Sequence, residues 1–451
     1  MSSRVRSPSL PVAMLLAVSV LSLGARVAWL GSPCHAPCTT STDHLLIFDE
    51  AYYVNAARVI AGIAPPAGAN YATSPLGDDP NSEHPQLVKL VIAGSIELFG
   101  DGPLAWRLGS LLAGSLAILG MWALARAAGA GRWIAFGAAG LMAADNLLLV
   151  AGRIGTLDIY AVAGMVWAVA LYLRGRRLAG GLVLAVAIAC KEVAAYAALV
   201  VVAVEACAWL VRRPRPSPLA GARGAVTFCA AAAAGFVGLL AVMDRIAPPW
   251  DPQTGALVSG GVLGHIGRMI TYASGQSSPH GPRGIASYPW EWLGDYKPIP
   301  YLGIDPARPS HGLVHDHPAT LFLGMISPPI MLLALPALAV AAVRVWRGGR
   351  APRCAGEAGG PAAEAGGEFA PGRAAEIGLA WFLATFLPFE LLSLIWQRTS
   401  YLYYMVIVMP GIYLAVAALV ARHRQRRALV MTWIAAVLIA VVVMYPFDPL
   451  L

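Results

Sequence analysis

The chain has 451 residues, of which 58% are hydrophobic and only 12% charged, with a formal net charge of +8. Soluble domains carry about 25% charged residues. Half that fraction, spread over repeated apolar runs of about 20 residues, excludes a soluble multidomain enzyme and defines an all-α polytopic membrane protein. The arginines sit in short clusters between apolar runs, the pattern of inner loops, so the positive charge is no signal for nucleic acid.

In chain order, the apolar runs and their basic flanks predict about eleven spans in a single domain, residues 1–451. The first covers about 10–30 and follows Arg4 and Arg6, which places the N-terminus inside. It resembles a signal peptide in hydropathy, but without a clear small-residue cleavage site it reads as a span. A first outer loop, 31–100, contains two short helices, about 49–62 and 86–99, the second long enough to lie in the membrane interface. Spans follow at about 103–125, 133–150 and 157–173. The stretch 178–211 is apolar except for Lys191-Glu192 in its middle. Basic clusters at both of its ends belong inside, so it crosses twice and turns at Lys191 on the outer side. A span at 222–246 leads to a second outer loop, 247–317. The remaining spans fall at about 318–343, 376–396, 400–420 and 428–446, with an inner linker at 344–375. No internal repeat is visible.

This orientation collects Asp49, Glu50, Glu83, His84, Arg153, Asp158, Lys191, His280 and Arg398 on the outer side. Ionisable groups at span ends are expensive and point to function by default. Arg153, Lys191 and Arg398 are three cations at the outer ends of different spans. Each alone could snorkel to headgroups. Together, facing an acidic loop, they suit a phosphate or pyrophosphate. Asp49 reads equally as a helix N-cap and as a general base. His311, His315 and His317 have spacing that can bind zinc, and Cys34-His35 with Cys38 is a weaker metal signal, but loop histidines are more often simply polar. For Cys34 and Cys38 a local disulfide in an oxidising outer space is favoured. Trp250, Trp290 and Trp292 could stack on a sugar face or form an interfacial belt.

The order of motifs then becomes specific. Phe48-Asp49-Glu50 before a tyrosine-rich helix, and His84-Pro85-Gln86-Leu87-Val88-Lys89, resemble the protein O-mannosyltransferase family of the GT-C superfamily. So do Arg153 to Asp158, Ala189-Cys190-Lys191-Glu192, Tyr288-Pro289-Trp290-Glu291-Trp292 and Arg398-Thr399-Ser400-Tyr401 with Pro410. Gln86 and Val88 depart from the family's proline and glycine, Glu83 before His84 is also similar to the aminoarabinose transferase branch, and the inserted lumenal repeat domain of the eukaryotic enzymes is lacking. The resemblance implies a GT-C fold and an inverting hexosyltransferase in a prokaryotic plasma membrane with its site on the outer face. It implies a polyprenyl-phosphate sugar, with mannose the leading candidate, as donor, and a protein Ser/Thr hydroxyl, or a lipid or cell-wall glycan, as acceptor. Asp49 and Glu50 become the catalytic pair, with Asp49 the base. Arg153, Lys191 and Arg398 become the phosphate ligands, with Glu83, His84, Lys89, Asp158, Trp290 and Tyr401 around them and no metal required. A transporter or flippase is the rival from another class, but it would place charges near the midplane and often show a repeat.

Overall fold

The computed structural model describes residues 9–35, 37–211, 217–303, 313–314, 321–348, 368–369 and 371–446. Among them the order of helices is α1 (Leu10–Val27), α2 (Glu50–Ile60), α3 (Leu87–Phe99), α4 (Pro103–Ala127), α5 (Arg132–Ala144), α6 (Asn146–Ala151), α7 (Asp158–Leu173), α8 (Arg177–Cys190), α9 (Tyr196–Val211), α10 (Pro218–Ile246), α11 (Gly261–Gly275), α12 (Pro289–Trp292), α13 (Pro328–Gly348), α14 (Ala374–Trp396), α15 (Met405–Arg422) and α16 (Arg427–Val443). Among the described residues seven helices are long and apolar enough to cross a membrane. Four shorter apolar helices, α5, α7, α8 and α16, occupy the positions of the other expected spans. The chain is a multi-pass integral membrane protein.

Local chemistry sets several boundaries. Pro103 opens α4 and Pro218 opens α10, where a missing N–H costs nothing, and the Ser217 hydroxyl accepts from the Ala220 N–H. The expected span 133–150 is broken. Asp145 leaves the helical region and its carboxylate accepts from the Leu147 N–H, capping α6. The span expected from 318 begins at Pro328, because Leu321–Gly324 instead forms a strand antiparallel to Ile299–Gly303.

Helices α7 and α15 are buried on nearly every side, as helices hydrophobic all round should be. Helices α1, α10 and α16 turn residues such as Leu21, Val226 and Ile439 outward to the hydrocarbon. Helices α14 and α15 come into close contact at Gly378 and Gly411, where a Cβ on either would stand 2.6 Å from the other's carbonyl oxygen. Without a hydrophobic force between helices in lipid, such small-residue contacts carry the packing.

The basic turns gather at one end of the bundle. Helix α7 runs from Asp158 to a turn at Arg174, α8 returns from Arg177 to Lys191, and α15 runs from Met405 to Arg422. At that basic end Phe369 stacks on Trp133 at 5.9 Å between ring centroids, Arg424 lies over the same Phe369 ring, and the Arg373 N–H donates to the Ala128 carbonyl. Residues 371–373 of the expected inner linker therefore pack against the α4–α5 turn, while its Arg350 to Gly367 lie outside the described residues.

Candidate active site

At the opposite end, a cavity of about 850 Å³ opens between the loop joining α1 to α4, the turn after α8, α11 and the segment after α14. Six of the expected site residues line it: Asp49, Glu83, His84, Lys191, Arg398 and Tyr401. The two expected helices of the first loop are present as α2 and α3.

Asp49 is placed by its neighbour. Glu50 is fully buried, and Arg107 of α4 grips it in a fork, Nε to Oε1 at 2.8 Å and Nη2 to Oε2 at 2.7 Å. The Ile47 N–H donates to Oε2 and the Gly155 N–H to Oε1, at 2.7 and 2.6 Å. Gly155 is required there, since a Cβ would stand 2.8 Å from the Trp106 carbonyl oxygen. Arg107 also donates to the Leu30 and Leu45 carbonyls. The start of α2 is thus riveted to α4 and to the α6–α7 turn, and Asp49, one residue earlier, faces the cavity. Asp49 sits at the N-cap position but makes no side-chain capping bond. Burial pushes its carboxyl up to about 6, against the pull of Lys191 and His84 and with a further push from Asp158.

The break at Lys191, in extended backbone between α8 and a short 3-10 turn, turns two charged side chains into the cavity. Lys191 Nζ donates to Asp158 Oδ1 at 2.7 Å and lies 5.3 Å from the centre of the Tyr403 ring. The adjacent Glu192 meets His84 Nδ1 at 3.0 Å. Arg398 follows the left-handed Gln397 that ends α14, and its backbone bridges to Ser277. Its guanidinium donates to the Ala273 carbonyl in the last turn of α11. Aromatic rings complete the walls: Phe48 stacks on Tyr301 at 4.3 Å, Tyr401 on Tyr403 at 5.5 Å, and Tyr404 on Phe389 at 5.1 Å.

Five expected site residues do not line the cavity; of these Asp158 stays beside it as the partner of Lys191, and four lie elsewhere. Arg153 does not line the cavity. Its Nη2 donates to the Ala28 carbonyl at 2.8 Å, its Nη1 reaches the Ala25 carbonyl at 3.4 Å, and it lies over the Phe322 ring. It therefore satisfies the open carbonyls at the end of α1, where a helix dipole favours a cation. Lys89 is fully buried and holds the 79–84 turn, donating to Asp79 Oδ2 at 2.6 Å and to the Asn81 and His84 carbonyls. Glu50 has its place in the rivet just described. Trp290 stacks on Tyr288 at 4.3 Å outside the cavity, while Trp292 is buried against Phe386, Phe389 and Tyr404. Neither these tryptophans nor Trp250 lines the cavity, whose aromatic lining is made by Trp396, Phe48, Phe389 and several tyrosines.

Glu192, Tyr52, Tyr53, Tyr272, Tyr403 and Tyr404 line the cavity without having been singled out as site residues. For Glu192 the signal was available, a second charge beside Lys191 in an apolar stretch. The tyrosines look like any interfacial belt. Cys34 and Cys38 form a disulfide. His311, His315 and His317 lie outside the described residues, among which no group of three or more His, Cys, Asp or Glu side chains could hold a metal ion.

The rivet predicts a stability effect. Glu50→Gln leaves Arg107 buried beside a neutral amide, and breaking a buried pair costs about 3–5 kcal/mol. The thermal midpoint of the purified protein should fall clearly. An unchanged midpoint together with a large loss of rate would instead give Glu50 a chemical role.

The fold is that of the GT-C membrane glycosyltransferases. The S. cerevisiae protein O-mannosyltransferase Pmt1-Pmt2 complex bound to the sugar donor superposes with a TM-score of 0.68 at 12% identity, over 98% of this chain and 90% of that one. ArnT from Cupriavidus metallidurans bound to undecaprenyl phosphate gives a TM-score of 0.50 at 20% identity, over 95% of this chain and 63% of that one. In sequence, the family model for dolichyl-phosphate-mannose-protein mannosyltransferases matches residues 83–237, a stretch holding His84, Asp158 and Lys191 but neither Asp49 nor Arg398. The polyprenol-phosphate-mannose–protein mannosyltransferase of Corynebacterium glutamicum is 36% identical over 118 residues, which is 26% of this chain and 22% of that protein. The chain resembles the protein O-mannosyltransferases in both sequence and fold.

Proposed function

We propose that this protein is an inverting hexosyltransferase that moves mannose from a polyprenyl phosphate to a Ser or Thr hydroxyl of a protein on the outer face of the membrane. The observation that carries this reading is one cavity in which the carboxylate of Asp49 faces Lys191 and Arg398, at the end of the bundle away from the basic turns. Asp49 takes the proton of the acceptor hydroxyl. That oxygen bonds to the anomeric carbon from the face opposite the phosphate. The bond between the anomeric carbon and the phosphate oxygen breaks, and its electron pair leaves on the polyprenyl phosphate. Lys191 and Arg398 stabilise that developing charge electrostatically. Lys191 stays charged there because Asp158 is its counter-ion. The apolar wall at Val193, Leu392 and Trp396 suits a lipid carrier. The cavity's charged groups lie at the end of the helices opposite the basic turns, whereas a transporter places such groups near the midplane.

The reading is tested in right-side-out vesicles holding polyprenyl-phosphate mannose in the bilayer. A membrane-impermeant peptide rich in Ser and Thr, added outside, should gain one hexose by mass spectrometry. No transfer by folded protein from any polyprenyl-phosphate hexose, or transfer only to peptide trapped inside, would overturn it.

A further inference from the structure

Helix α11 contributes Ile270, Tyr272, Ala273 and Ser274 to the cavity wall. On its buried face lies a residue with no part in the transfer just described. His265 is 0% exposed. Its Nδ1 is 2.8 Å from Asp244 Oδ1 near the end of α10, and its Nε2 is 3.1 Å from the Ser82 carbonyl oxygen of the first loop. Gln86 Nε2 donates to the same Asp244 oxygen at 2.7 Å, while Asp244 Oδ2 is buried without a hydrogen-bond partner. A carboxylate and a backbone carbonyl are both acceptors. Both bonds to the ring form together only when the imidazole carries two N–H groups, and therefore a positive charge. The residues after Ser82 are Glu83 and His84, which line the cavity.

We infer that His265, paired with Asp244, is a positioning residue that ties α11 to the 82–84 segment. The link to sugar transfer rests on the reading above; the link between α11 and the 82–84 segment does not. Asp244 on α10 is the acidic group in contact with the ring. Glu83 and His84 follow on the loop, with His84 held by Glu192. On α3, Lys89 is committed to Asp79, and on α11 itself Arg268 is paired with Asp251 at 2.9 Å.

Hydrogen–deuterium exchange of the full chain in detergent at fixed pH tests this. In His265→Gln, protection of residues 261–275 should fall roughly tenfold from wild type, the effect of losing one hydrogen bond to a charged group. Protection of α4 and α15 should stay constant. The variant should show a raised KM for the lipid donor and a smaller change in kcat. His84→Gln should keep the wild-type protection of α11. Wild-type protection of α11 in His265→Gln, or an equal loss across α4 and α15, would overturn the inference. If the wild type moves no sugar at all, the transfer reading fails and the exchange profile still decides the role of His265.

Discussion

Asp49→Asn should reduce sugar transfer roughly 10²-fold or more, the scale of a lost general base. The amide keeps the size of the side chain and its capacity to accept a hydrogen bond. Asp49 makes no capping bond, so loss of a cap supplies no alternative explanation for slow turnover. The pH profile makes the case sharper. With its carboxyl at about 6, Asp49 is mostly ionised at neutral pH, and kcat/KM should fall about tenfold per pH unit below 6 as the base takes up a proton. The Asn variant should lack that acid limb. Synthetic polyprenyl-phosphate mannose and a Ser/Thr peptide, at matched amounts of folded protein, give the measurement. Transfer at the wild-type rate by Asp49→Asn would remove Asp49 from the chemistry and with it the proposed mechanism.

Arg398→Ala is expected to cost about 2.7–4 kcal/mol of transition-state stabilisation, a loss of roughly 10²–10³ in kcat, by analogy with removal of one oxyanion donor. It is a cleaner probe than Lys191, because the Arg398 partner is the Ala273 carbonyl, whereas removing Lys191 leaves Asp158 buried and unpaired. Arg153→Ala provides the contrast. That side chain sits on the end of α1, so its loss should lower the unfolding midpoint and leave turnover per folded molecule near wild type. Equal turnover in Arg398→Ala and wild type would show that Arg398 only holds α11.

These contrasts mark how far the residues could be read before folding. Hydropathy and the positive-inside pattern placed the long helices, because each span must satisfy its own backbone in lipid and announces itself locally. The charge argument also located the break at Lys191, and with it two walls of the cavity. Arg153 and Arg398 looked alike, both cations at outer span ends. What separates them is the carbonyl-lined seat at the end of α1, more than a hundred residues away from Arg153 in sequence. Lys89 is hidden in the same way by the 79–84 turn that folds around it. The break at Asp145 was legible in principle, since an aspartate two residues before an N–H it can accept from is a cap, but the apolar run around it masked the signal. Helix α11 carries Gly261, Gly264, Gly267 and Gly275, a composition that argues for a loop; burial of His265 and Met269 against α10 overrides that propensity.

The end of α1 has one more contributor. Tyr445, beyond α16, donates its hydroxyl to the Ala25 carbonyl at 2.5 Å across 420 residues of sequence, and its ring lies 6.3 Å from that of Trp29. Helix α1 and the residues just after it are therefore seated by groups synthesised at three later times, Arg107, then Arg153, then Tyr445. During biogenesis the Ala25 carbonyl waits for a partner made more than four hundred residues later, so the seat of α1 is completed only after α16 has been made.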